Sequence, residues 1–132
     1  MRNIEIVRGY RSFGHEDVYP GNPDLELLDG DIITAEGEKA TLTDAHQEVG
    51  IVIQPTNLGN TEYREASGKV PVYVSNFTVR TTRFHPATFK VGDGVSVKDG
   101  LPVLADDTNK EIWGYVTAVG NGGASIDIRV NN

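Results

Sequence analysis

The chain has no cysteine. A disulfide framework and thiolate chemistry are both excluded, and with them the small stapled secreted domain. No apolar run approaches the roughly 18 residues that a membrane-crossing helix requires, so no membrane partner is expected. Apolar residues are few, at 38%, while glycine takes 15 of 132 positions, which points to many turns around a thin β core rather than to helices. Cationic residues are also scarce, 12 Lys and Arg against 19 Asp and Glu, for a net charge of −7. They do not cluster, and an acidic surface repels phosphate backbones, so no nucleic-acid partner is expected. The opening residues, Met1 to Val7, hold no long apolar segment. No signal peptide is therefore expected, and the chain is read as soluble and made in the cytoplasm. At this length it can bury roughly two-thirds of its unfolded surface, enough for one domain or two very small β-lobes.

What is present is organised around Val91 to Val130. Asp99-Gly100 separates Val95-Ser96-Val97-Lys98 from Leu101-Pro102-Val103-Leu104. An Asp-Gly pair accepts positive φ cheaply and predicts a two-residue hairpin. A second hairpin follows, with Ile112 to Val119 leading through Gly120-Asn121-Gly122-Gly123 into Ser125 to Val130. In that last run Ile126, Ile128 and Val130 alternate with Ser125, Asp127 and Arg129, which predicts one buried face and one facing water. The fold class expected is all-β, a small barrel or sandwich of antiparallel hairpins.

The earlier chain reads as a variation on this module preceded by an extended arm. Residues 1–24 form the arm: Ile4 and Ile6 suit one short strand, and the rest mixes Gly, Pro and aromatics without a sustained period. Tyr10, Phe13 and Tyr19 mark it as a segment that packs on a surface while staying extended, either as a long loop on its own domain or as an arm on a neighbouring subunit, because a disordered tail usually lacks aromatics. Residues 25–132 then form the β-domain. Within it, 25–54 and 89–130 read as two similar β-units. Gly30-Asp31-Ile32-Ile33 parallels Gly92-Asp93-Gly94-Val95, and Val49-Gly50-Ile51-Val52 parallels Trp113-Gly114-Tyr115-Val116. Ala40-Thr41-Leu42 is expected as a short strand between them, and the apolar run through Val52 as a central strand covered on both sides. The 55–69 loop is long enough to suggest a functional role. Val70-Pro71-Val72-Tyr73-Val74 and Phe77-Thr78-Val79-Arg80-Thr81 alternate in opposite phase, so a bulge or turn is expected at Ser75-Asn76. Pro71 suggests an edge strand or a strand start.

No residue set announces a reaction. His15, His46 and His85 lack metal-ligand spacing. Asp29-Gly30-Asp31 lacks the remaining ligands of a calcium loop and suits a capped turn. Asp106-Asp107 suits a solvated turn, and Asn76-Phe77-Thr78 is an accidental glycosylation pattern in a chain without a signal peptide. The glycines at 120–123 sit in a hairpin and not before a helix, so they do not cradle phosphate. Trp113 is expected as a core or interface residue, with a sugar platform as its alternative. The chain is therefore expected not to be an enzyme and to carry no metal or cofactor.

Lys90-Val91-Gly92-Asp93-Gly94-Val95, with Gly100, then Ile112-Trp113-Gly114-Tyr115-Val116 and Ile126-Asp127-Ile128-Arg129-Val130, resembles the capsid decoration (cement) proteins of tailed phages. Those proteins commonly show f-x-x-G-D-x-V, a hairpin, x-x-G-x-V and a final alternating strand. The resemblance covers 89–130 well and 25–54 less well. The extended arm fits it too, while the 55–69 loop departs from it. It implies a structural virion protein on the outer capsid surface, made in the host cytoplasm. It also implies the major capsid protein as partner, a trimer or dimer, and bridging of capsomers as the role. The alternatives are a tail, baseplate or fibre component, a carbohydrate-binding module using Trp113 and the 55–69 loop, and a small hydrolase with a pocket that the sequence does not reveal.

Overall fold

The computed structural model describes residues 4–9, 15–20, 27–43, 47–52 and 69–130. Ten strands are described: β1 (Ile4–Gly9), β2 (His15–Pro20), β3 (Ile32–Thr34), β4 (Val49–Val52), β5 (Lys69–Ser75), β6 (Phe77–Thr81), β7 (Gly94–Lys98), β8 (Leu101–Leu104), β9 (Gly114–Gly120) and β10 (Ser125–Val130). A single 3-10 turn at Asn121–Gly123 joins the last two. The strands form two antiparallel sheets in a sandwich-like arrangement that does not close into a barrel. One has the order β1-β6-β10-β9-β7-β8, the other β2-β5-β4-β3.

The segment read as an arm supplies β1 and β2. β1 pairs with β6 at the edge of the larger sheet, and β2 pairs with β5 at the edge of the smaller one. Between β5 and β6 the chain bends at Asn76, whose φ of 55 is left-handed, and passes from one sheet to the other. Strands that change sheets through a bend make the corners of such sandwiches. This is the break expected at Ser75-Asn76. β5 carries apolar residues on both faces, Tyr73 toward the main core and Val72 and Val74 toward a smaller cluster with Leu27, Ile33 and Val52. β5 lies inside its sheet, although Pro71 suggested an edge. Pro71 is the third residue of β5 and stands opposite Val18 of β2, while the described pairing with β4 begins at Val72. β4 is buried along its whole length, as its unbroken apolar run predicts.

The two units share their turn chemistry. In the first, Asp31 N–H donates to Leu28 O (3.0 Å) and Leu28 N–H donates to the Asp31 carboxylate (2.8 Å). In the second, Asp93 N–H donates to Lys90 O (3.0 Å) and Lys90 N–H donates to the Asp93 carboxylate (2.8 Å). Gly30 and Gly92 both hold φ 96, the conformation that the third position of a type II turn requires. Each glycine N–H then donates to a strand carbonyl, Val52 O or Val116 O, and each of those valines donates back to the aspartate carbonyl. The strand registers agree as well. Ile33 faces Gly50 as Val95 faces Gly114, and Ile32 faces Ile51 as Gly94 faces Tyr115.

The units differ in their middle strand. β8 pairs fully with β7 through the two-residue turn at Asp99-Gly100 (φ 51 and 80), the hairpin its sequence predicts. The expected strand at 40–42 is reduced to one bridge, Ile33 to Lys39. Ala40 N–H still donates to Ile32 O of β3, but the remaining bonds cross to the other unit: Leu42 N–H donates to Val97 O, Gly100 N–H to Ala40 O, and Asp99 N–H to Thr41 Oγ1. The tip of the β7–β8 hairpin thus docks on the first unit and ties the two together.

The buried core holds Ile32, Ile51, Phe77, Val79, Val95, Val97, Trp113, Ile126 and Ile128 among others, drawn from both sheets. One expectation for β10 fails. Ser125 and Asp127 were read as facing water, yet both are buried. Asp127 stands opposite Arg80 and lies under its guanidinium, and Ser125 closes against Gly120. An alternating pattern identifies two faces but not whether neighbouring strands cover the polar one.

Candidate interaction surface

Asp31, Asp106, His85 and Trp113 each have a structural role in the described residues. Among the described residues no group of His, Asp and Glu could hold a metal ion, and no helix is long and apolar enough to cross a membrane. Asp31 is buried, and its carboxylate accepts from Arg83 Nη1 at 2.7 Å. Arg83 also donates to Asp29 O, so it clamps the first turn from the end of β6. Asp106 accepts from the backbone N–H groups of Asn109 (2.7 Å) and Thr108 (2.8 Å). Those two bonds hold its carboxyl below the usual carboxylate range. The His85 ring bonds Lys98 O at 2.7 Å.

Trp113 lies in the core at 2% exposure, edge-on to Phe77 with ring centroids 6.2 Å apart. Among the described residues its indole N–H has no hydrogen-bond partner. A ring so enclosed does not present a face to a saccharide. Of the arm aromatics, Tyr19 is placed by its backbone opposite Val70. Tyr10, Phe13, His46 and the loop as far as residue 68 lie outside the described residues.

What remains is a surface. Among the described residues the exposed large apolar side chains are Val91, Ile112, Tyr115 and Val119, all in the second unit. Ile112 and Tyr115 converge over Gly94: a Cβ there would meet Ile112 Cδ1 at 2.8 Å and Tyr115 Cε1 at 3.9 Å. Register with the first unit shows what is unusual. The positions equivalent to Gly94 and Tyr115 are Ile32 and Ile51, and both are fully buried in the main core. The first unit is covered on both faces. The second is covered on the face bearing Val95 and Val116, and its other face carries exposed Ile112 and Tyr115.

This face continues across the larger sheet. Arg129 stands opposite both Tyr115 and Thr78. Beyond it Asp127, Arg80 and Glu5 stand in one cross-strand row. Arg80 forks onto Asp127 through Nε (2.9 Å) and Nη2 (3.2 Å), with Glu5 at 3.7 Å on the other side. The hydrogen bond and charge of Asp127 hold the Arg80 guanidinium still more firmly protonated than usual. The outer face is thus apolar at the β7–β9 end and an ion-paired ladder at the β1–β6–β10 end. Sequence reasoning did not single out Val91, Ile112 or Tyr115. The signal available was the run Ile112 to Ile126, which holds no charge although 23% of the chain is charged.

Comparison with protein-family models, curated proteins and solved structures gave no match.

Proposed function

We propose that this chain is a non-catalytic structural protein of a tailed-phage virion, a decoration protein that binds the outer capsid surface and bridges capsomers. The observation that carries this reading is the exposed apolar pair Ile112 and Tyr115 on a unit whose counterpart has the same face buried, with Val91 a third exposed apolar residue of that unit. Burying a Val or Ile side chain contributes about 1.5–3 kcal/mol, so a few such residues can anchor a contact. Those three residues fall within 89–130, the part of the chain that resembles decoration proteins. The ion-paired ladder beside them gives the contact a polar margin. A net charge of −7 suits a protein that must not adhere to packaged DNA. The partners proposed are the major capsid protein and further copies of this chain, as trimer or dimer.

The test is binding of the purified protein to undecorated phage heads. Tyr115→Glu and Ile112→Glu should each weaken binding by at least about tenfold, because each places a charge in a desolvated contact. Glu5→Gln, at the ladder end, should change it little. Binding to tails but not heads would favour the tail-component reading. Binding to neither, together with a positive saccharide screen, would sink both.

A further inference from the structure

The 3-10 turn between β9 and β10 contains Asn121 followed by Gly122, the one Asn-Gly pair in the chain. From its geometry we infer that Asn121 is a site of spontaneous deamidation, converting to aspartate and isoaspartate in the folded protein. In this reaction the Gly122 backbone nitrogen attacks the side-chain Cγ of Asn121. The N–Cγ bond forms, the Cγ–Nδ2 bond breaks, and the side-chain nitrogen leaves as ammonia, taking the amide proton. Water then opens the five-membered succinimide at one of its two carbonyls, giving aspartate or isoaspartate. The requirements are an attacking nitrogen free of other bonds, no side chain on the following residue, and room for the ring.

The turn meets each requirement. Asn121 and Gly122 are exposed, and a Cβ placed on Gly122 or Gly123 would meet nothing within 4 Å. The turn's backbone bond runs from Ala124 N–H to Asn121 O, and among the described backbone bonds Gly122 N–H donates to no residue outside the turn. Asn121, Gly122 and Gly123 all hold positive φ (52, 67 and 98), a loop built on glycine's backbone freedom. Two of the three Asp-Gly pairs are locked by comparison. Gly30 N–H, after Asp29, is held by Val52 O at 2.9 Å, and Gly100 N–H, after Asp99, is held by Ala40 O at 2.8 Å. Asn76 and Asn109 precede Phe77 and Lys110, whose side chains crowd the attack. The product places a carboxylate inside the uncharged run from Ile112 to Ile126, two residues beyond exposed Val119. The molecule becomes one charge more acidic than its native −7.

The experiment is incubation of the intact folded protein in mildly alkaline buffer, followed by trypsin and mass spectrometry. Trypsin cuts after Lys110 and Arg129, and the peptide 111–129 contains Asn121 as its single asparagine. The expected result is a gain of about 1 Da in that peptide, with isoaspartate detected by enzymatic methyl transfer, at least about tenfold faster than at Asn76 or Asn109. Gly122→Ala should slow the conversion by a similar factor. Should Asn76 or Asn109 convert first, the proposal fails. It fails equally if the folded protein keeps its amide while a free synthetic peptide of the same sequence loses it, a comparison that needs no variant.

Discussion

At the scale of single residues, stability rests on a few enclosed groups. Trp113 meets Phe77 edge-on, and Phe77 meets Tyr73 at 5.4 Å, so three rings form the centre of the sandwich. Trp113→Ala should cost about 3 kcal/mol or more, as large truncations in cores do. Trp113→Phe should cost clearly less, because it also removes an indole N–H that is buried without a partner among the described residues. Chemical denaturation of both variants checks the difference, and equal losses would refute it. Asp106 provides a pH test. Its carboxyl is held below its unfolded value by the Asn109 and Thr108 N–H groups. A depressed folded pKa contributes stability above the unfolded value and loses it as pH falls through the folded one. The stability difference between the native protein and Asp106→Asn should therefore be full near neutrality and vanish in acid. A difference that grows on acidification would reverse the argument.

At the scale of elements, the G-D turns offer a matched pair. Asp31 and Asp93 make the same backbone bonds, but Asp31 is buried with Arg83 whereas Asp93 is half-exposed. Asp31→Ala should cost roughly 3 kcal/mol or more, since it strands the Arg83 charge, and Asp93→Ala about 1 kcal/mol. Thermal melting decides, and equal costs would mean that Arg83 adds nothing. These turns, the Asp99-Gly100 hairpin and the covered strand β4 were legible because Gly, Asp and unbroken apolar runs act locally. The break at Asn76 was legible from the change of apolar phase. The second face of β5 was not, because apolar residues on both sides of one strand give no alternation to read. The strand expected at 40–42 keeps one bond to β3, from Ala40 N–H, while Leu42 N–H and Ala40 O bond β7 and the hairpin tip, partners far away in sequence. The exposed face of the second unit was hidden for a related reason. Nothing in Gly94 or Tyr115 announces exposure until Ile32 and Ile51 are seen buried at the matching register. The buried Asp127 likewise depends on Arg80, which lies on another strand.

At the scale of the whole molecule, residues 1–24 read as an arm because they lack a period of their own, and nothing local in them names β6 and β5 as partners. The pairing makes a direct prediction: deleting 1–20 removes an edge strand from each sheet and the buried Ile4, so the truncated chain should melt lower and show less strand signal by circular dichroism. Unchanged melting would mean that neither strand contributes. The placement of β1 has a further consequence, in how the molecule bears force. β1 and β10 flank β6 from opposite sides, each antiparallel to it. Ile4 lies level with Thr81 at one end of β6, and Val130 lies level with Phe77 at the other. Tension applied between Ile4 and Val130 therefore drags β1 and β10 in opposite directions along β6. Ladder bonds stand perpendicular to the strands, so such a pull loads both rows sideways and together instead of opening them one after another like a zip. The centre of the sheet is thus arranged as a double lap joint, strongest along the line joining those two residues.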